Sequence, residues 1–313
     1  MGDLSVTSTL PPVAAAAGGG ATRRRVRRSA LARGWIFVAP AALIYLAFAI
    51  WPTLMTVGMS FFRWDGILPA VWTGVDNYVR IFTKPELLGS IGHSLILIIF
   101  FSVLPVGFGL LLAGLLIGRV RRGMTFFRVV LFLPQVLPLV AVGITWRWLY
   151  SEDGVINQLL SGIGLSGVTR AWLGDYNLAL PALGLIGTWT MSGLCMMLFL
   201  SGAQKIDPEY YEAATLDGAG PIRQFTAVTL PGLRNEITIA AVITTIAALA
   251  SFDLVFVTTN GGPAAQTNVP GLLVFRLAFN EGNFGGASAL AVTLSVIVIS
   301  IVSLIRYVAR DRT

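Results

Sequence analysis

Asp207, Glu209, Glu212 and Asp217 fall within one short stretch, AQKIDPEYYEAATLDGAG, around the paired Ala213 and Ala214. Carboxylates pair with guanidinium groups, and small alanines let another surface come close, so the stretch suits recognition rather than catalysis. Little else in the chain offers covalent or metal chemistry. A single cysteine, Cys195, excludes a disulfide framework and a CxxC site. A single histidine, His93, excludes a multi-histidine metal cluster and a His-pair relay. No GxxxxGKS/T loop occurs, and neither lysine, Lys84 or Lys205, lies in a glycine-rich loop, so ATP hydrolysis is not expected here. No catalytic residue, metal or cofactor is expected in this chain.

The acidic stretch needs a helix to present it. Asp207 is a good N-cap, Pro208 suits the first helical position, and Glu209 complements the helix dipole. A helix is predicted over Pro208–Leu216, ended by Gly218 or Gly220. Pro221 then opens a second short helix, Ile222–Thr229, stopped by Pro231. This helix–turn–helix, within 203–235, can rest on lipid headgroups or seat in a groove of a protein partner. Its acids outnumber Lys205 and Arg223, and an anionic leaflet repels an acidic helix, which favours the partner.

The elements around it are read from hydropathy. The 313 residues are 55% hydrophobic and 12% charged. Soluble proteins carry about 25% charged residues, so the class is membrane protein. Six stretches reach the ~20 apolar residues a bilayer needs: Trp35–Met59, Ser94–Gly118, Phe126–Leu149, Leu178–Gly202, Glu236–Thr259 and Ala287–Val308. The predicted fold class is all-α, a polytopic membrane helix bundle with six transmembrane helices. Pro40, Pro52, Pro105, Pro134 and Pro138 lie inside these spans, as simple kinks or as the broken helices that transport proteins use.

Charge gives orientation. Sixteen of the 22 basic residues lie on one side: Arg23 to Arg33 before the first span, Arg119, Arg121, Arg122 and Arg128, then Lys205, Arg223 and Arg234, and finally Arg306, Arg310 and Arg312. The positive-inside rule puts both termini in the cytoplasm of a bacterial cell. The net charge of +7 is thereby explained by topology, and no nucleic acid partner is expected. Residues 1–34 read as a disordered basic tail and 35–313 as the membrane domain. RRRVRR also matches a twin-arginine signal, but the apolar segment after it is long for one, and an anchor at anionic headgroups is preferred.

The loops add detail. Trp64, Trp72, Tyr78 and Phe82 suit an interfacial helix in the outer loop 62–92. Loops 151–177 and 260–286 are glycine-rich and read as turns or interfacial pieces. Gly114 and Gly118 form a GxxxG pair, which permits close helix packing. His93 is placed at the outer end of the second span, and Cys195 in packing within the fourth.

The spacing Glu212-Ala213-Ala214, three residues to Gly218, nine to Val228, one more and then Leu230-Pro231 resembles the EAA loop of ABC importer permeases. Only Val228 departs, standing where the family has isoleucine. TGVDNYVRIF (Thr73–Phe82) and TTNGGPAAQTN (Thr258–Asn268) resemble the carbohydrate-importer branch of these MetI-like permeases. The resemblance covers the chain from Trp35 onward and implies a type I ABC importer permease fold. It also implies partners: a second homologous permease, a cytoplasmic ABC ATPase dimer that binds ATP and Mg, and an extracytoplasmic solute-binding protein. Glu212, Ala213, Ala214, Asp217 and Gly218 would form the ATPase-coupling site.

The resemblance places substrate contacts on the fourth and fifth spans. A sugar needs hydroxyl and amide groups with aromatics for stacking, which points to Thr188, Trp189 and Thr190, and to Thr244, Ser251 and Asp253. Thr244, Ser251 and Thr258 share one helical face at seven-residue spacing. The alternative is that these hydroxyls bond their own helices or glue neighbours. Asp253 is either a functional intramembrane acid or a residue of the outer interface that shapes the TNGGP turn. Ala247, Ala248 and Ala250 stand where some sugar permeases place asparagines, which leaves the partner permease as the alternative holder of the solute. Glycerol phosphate is a second solute class, disfavoured by the lack of mid-span basic residues. A standalone secondary transporter or membrane enzyme is the runner-up from a different class.

Overall fold

The computed structural model describes residues 37–116 and 123–310. The expected basic tail, Gly118, Arg119, Arg121, Arg122 and Arg312 lie outside the described residues. The chain divides into two compact units, Met1–Met55 and Thr56–Thr313.

Apolar runs become long helices, as the bilayer-length arithmetic requires. They are α1 (Phe37–Met59), α3 (Pro85–Leu116), α7 (Ala179–Ala203) and α13 (Phe284–Arg310), each long and apolar enough to cross a membrane. Two further pairs qualify when each bent pair counts as one span: α4 (Met124–Val136) with α5 (Leu139–Leu149), bent by 99°, and α9 (Pro221–Gly232) with α10 (Arg234–Leu249), bent by 69°. Between these lie α2 (Asp76–Thr83), α6 (Val155–Gly162), α8 (Pro208–Leu216), α11 (Phe252–Thr258) and α12 (Pro270–Phe275).

Four expectations change. The second span begins at Pro85, nine residues before the predicted Ser94, because Lys84-Pro85 gives an extended residue and then a helix start. The third is two helices, since Leu137 is extended before Pro138 and the chain turns there. The fifth divides at Ala250–Ser251 into α10 and α11. The outer loop holds a small hairpin, β1 (Phe62–Arg63) antiparallel to β2 (Val71–Trp72), before its one amphipathic helix α2. Buried Asn77 holds that hairpin, its Nδ2 donating to the carbonyls of Ser60 and Phe62 at 2.9 Å each.

Three of the prolines inside helices follow widened turns. π-helical turns at Leu46–Ile50, Ile99–Val103 and Phe225–Thr229 each end two residues before a proline, Pro52, Pro105 and Pro231. The wide turn makes room for the ring that would strike the preceding carbonyl of an α-helix. Pro231 thus sits inside α9 instead of ending it, correcting the predicted stop.

Helix α7 is the centre of the second unit. Leu183 and Ile186 join Leu97, Phe101, Val255 and Leu272 in the largest apolar cluster. Cys195, Met196 and Phe199 join Ala113 and Leu233 in a second. Neighbours approach through glycine: a Cβ on Gly193 would collide with the Leu131 carbonyl of α4, and one on Gly109 would lie 2.6 Å from the Cys195 Cβ. Cys195 is therefore packing, fully buried. The Pro85–Ile98 part of α3 packs on α10, whereas its Leu104–Leu116 part packs on α7.

Candidate functional site

Helix α8 has the predicted bounds, and its ends explain why. The Asp207 carboxylate accepts from the Glu209 N–H at 3.0 Å, capping the first turn. At the other end the Ala219 N–H reaches the Ala214 carbonyl at 2.9 Å, and the Gly218 N–H reaches that of Thr215 at 3.0 Å. This is the double bond of a Schellman cap, and Gly218 has the positive φ, +74°, that it needs. A Cβ there would meet nothing within 4 Å, so the requirement is conformational and not spatial.

The helix is tethered from beneath. Tyr211 Oη lies 3.0 Å from Thr229 Oγ1, and Gln224 Nε2 donates to Thr215 Oγ1 at 2.9 Å and to the Ala219 carbonyl at 3.0 Å. Lys205 Nζ pairs with Glu236 Oε1 at 2.9 Å, joining the loop to α10. Gly114 seats Phe225, whose Cε2 would lie 2.9 Å from an added Cβ, so this half of the GxxxG pair receives the loop.

No residue of α8 is buried. Glu212, Ala213 and Asp217 are exposed and Ala214 is half-buried. Glu212 and Arg128 of α4 line one cavity of about 830 Å³, with Gln204, Tyr211 and Gln224. The sequence reading missed three apolar residues: Leu216 is 90% exposed and Ile222 82%, with Tyr210 also exposed. Their signal is local, since Leu216 follows Glu212 and Ala213 at helical spacing and has nothing large to pack on.

The solute-path candidates separate into two groups. Thr188 Oγ1 donates to the Phe100 carbonyl at 2.6 Å, Thr190 Oγ1 to Gly187 at 3.0 Å, and Thr244 Oγ1 to Ala240 and to Ser102 Oγ at 2.7 Å each. Those hydroxyls are engaged in packing. Ser251, at the break between α10 and α11, is buried with no partner for its Oγ among the described residues. Trp189 is exposed, edge-on to Trp146 at 5.4 Å. Asp253 is exposed in the first turn of α11. The TNGGP turn is held by Arg276, which donates to the Asn260 carbonyl at 2.5 Å and to Asn268 Oδ1 at 3.3 Å, and by Thr267, whose Oγ1 donates to the Gly262 carbonyl at 2.7 Å. His93 Nδ1 lies 2.9 Å from the Asn268 carbonyl, tying α3 to the same loop.

Residues 105–313 match the family described as binding-protein-dependent transport system inner membrane component. The probable ABC transporter permease protein YurN of Bacillus subtilis (strain 168) is 34% identical over 270 residues, 85% of this chain and 92% of that one. The lactose transport system permease protein LacF of Rhizobium radiobacter is 31% identical over 296 residues, 91% of this chain and 98% of that one. The crystal structure of a bacterial ABC transporter involved in the import of the acidic polysaccharide alginate superposes with a TM-score of 0.78 at 22% identity, covering 94% of this chain and 99% of that one, a likeness of fold.

Proposed function

Because the chain belongs to the binding-protein-dependent transport system inner membrane components, and thus to the ABC transporter permeases, we propose that it carries a sugar or oligosaccharide inward, coupled to ATP hydrolysis by a separate subunit. The observation that carries this is α8: a short helix capped at both ends by Asp207 and Gly218, braced by Tyr211 and Gln224, with no buried residue. A finger of this build delivers force only if something grips it, and Leu216 and Ile222 offer the grip. Glu212, Ala213, Ala214, Asp217 and Gly218 form the surface that meets the ATPase. An ATPase biases the permease through contacts that differ between its states.

The sugar assignment is supported by relatives named for the transport of lactose, diacetylchitobiose and multiple sugars. Of the path residues, Trp189 keeps an exposed ring face for a solute and Asp253 an exposed carboxylate, two residues after the buried, unpartnered hydroxyl of Ser251. The partners are a second permease, an ATPase dimer and a solute-binding protein. This chain supplies no catalytic group and no cofactor, and both termini face the cytoplasm.

The test is uptake by the four-component transporter in proteoliposomes. Glu212→Lys and the double variant Leu216→Asp/Ile222→Asp should insert and pair with the second permease, yet lose uptake at least tenfold and release the ATPase on purification. Uptake at the wild-type level by both would sink the coupling assignment.

A further inference from the structure

Six aromatic rings form an unbroken row across four elements. Phe252 and Phe256 of α11 stack at 5.3 Å. Both meet Phe275 of α12, at 5.6 and 5.4 Å. Phe275 meets Phe279 at 5.3 Å, Phe279 meets Phe284 of α13 at 6.5 Å, and Phe284 meets Trp64 beyond β1 at 5.6 Å. These separations are those of favourable aromatic pairs. The row is not sealed in the core: Phe279 is 72% exposed, Phe256 40%, and the other four are half-buried.

We propose that this row is a stacking track for pyranose rings at the extracytoplasmic mouth of the path. The proposal rests on the importer assignment made above and names a surface that assignment does not use. Three features point to a sugar. First, the row carries polar groups at its edge: Asp253 lies between Phe252 and Phe256, and Asn280 and Glu281 follow Phe279, all exposed. A carboxylate facing acyl chains is costly, so this face opens to water and not to lipid. Second, a pyranose has a C–H-rich face and a rim of hydroxyls. The electron-rich face of an aromatic ring attracts the former, and Asp253 and Asn280 can bond the latter. Third, the rings are held in place before any solute arrives. Gly66, at φ +87°, brings its backbone against Phe284, so that an added Cβ would lie 2.7 Å from Cε2. Arg276, between Phe275 and Phe279, is fixed to Asn260 and Asn268. A row of several rings suits an oligosaccharide, which can bind one ring as it leaves the next.

The complete transporter in proteoliposomes provides the test, with labelled lactose, diacetylchitobiose and glucose as probes. Phe256→Leu and Phe279→Leu keep bulk and apolarity but lose the ring; Phe256→Trp and Phe279→Trp keep a ring. Each leucine variant should raise the KM for disaccharide uptake about three- to tenfold, the size of one aromatic contact, with basal ATPase activity unchanged. The tryptophan variants should restore it, and glucose uptake should move least. Leucine variants that match wild type overturn the track. So do leucine variants that no longer pair with the second permease, which would make the row a subunit interface. A wild-type transporter that takes up none of the three sugars, yet couples ATP hydrolysis to the uptake of a solute that is not a sugar, overturns the sugar assignment and the track together. Loss of the track alone leaves wild-type sugar uptake intact.

Discussion

Thr188 fills a vacancy that Pro105 creates. In the widened turn of α3 the Leu104 N–H bonds the Ile99 carbonyl, and Pro105 has no N–H to give, so the Phe100 carbonyl has no donor in its own helix. Thr188 Oγ1 supplies one from α7 at 2.6 Å. Thr188→Val should lower stability by about 1–2 kcal/mol, as a buried acceptor loses its partner. Thr188→Ser should stay near wild type. Thermal unfolding in detergent measures both, and an unchanged valine variant would remove the assignment.

Gly218 makes a backbone prediction. At φ +74° an alanine should cost about 1–2 kcal/mol in the cap. Valine should cost more, since β-branched residues tolerate positive φ worst, and asparagine less. Because the space beside Gly218 is open, the order Asn, Ala, Val should appear as graded loss of ATPase retention during purification. Equal retention of all three would mean that the cap is not needed for docking.

Two glycines facing helix neighbours should behave differently. Gly193→Val puts a branched side chain against the Leu131 carbonyl, backbone that cannot step aside, and should abolish the monodisperse peak in detergent chromatography. Gly114→Ala meets only the rim of the Phe225 ring, which can turn away, and should fold. A well-behaved Gly193→Val protein would contradict the tight α4–α7 crossing.

Asp65 gives a pH prediction. Its carboxylate accepts the N–H groups of Ile67 and Leu68 at 3.0 and 2.8 Å, and these bonds hold its pKa below the usual 3.8. A group with a lowered folded pKa contributes order that is complete above the unfolded value and lost as pH falls through the folded one. The exchange protection of Ile67 and Leu68, taken relative to the intrinsic rate at each pH, should therefore hold at neutral pH and fall only below about pH 4. Asp65→Ala should show the lower protection at these two amides at every pH.

The spans and α8 were legible because each had a single physical solution. Apolar runs of bilayer length admit only helix, and Asp207-Pro208 with Gly218 marks both ends of α8 chemically. The turn between α4 and α5 was not, because Pro138 is compatible equally with a kink and with a 99° bend, and packing decides. The hydroxyl partners were hidden for another reason: Thr188 and Phe100 lie 88 positions apart, and Thr244 and Ser102 lie 142 apart. Exposure at Leu216 depends on what fails to cover it, which a local pattern does not record.

The widened turn at Ile99–Val103 also re-aims the rest of its helix. One surplus residue in a turn rotates everything after it by about 100° relative to an unbroken spiral. That is why a single rod can greet α10 with its first part and α7 with its second. The widened turn itself touches both α7 and α10, which also pack on each other, so those five residues serve as the clutch between the two halves of the rod.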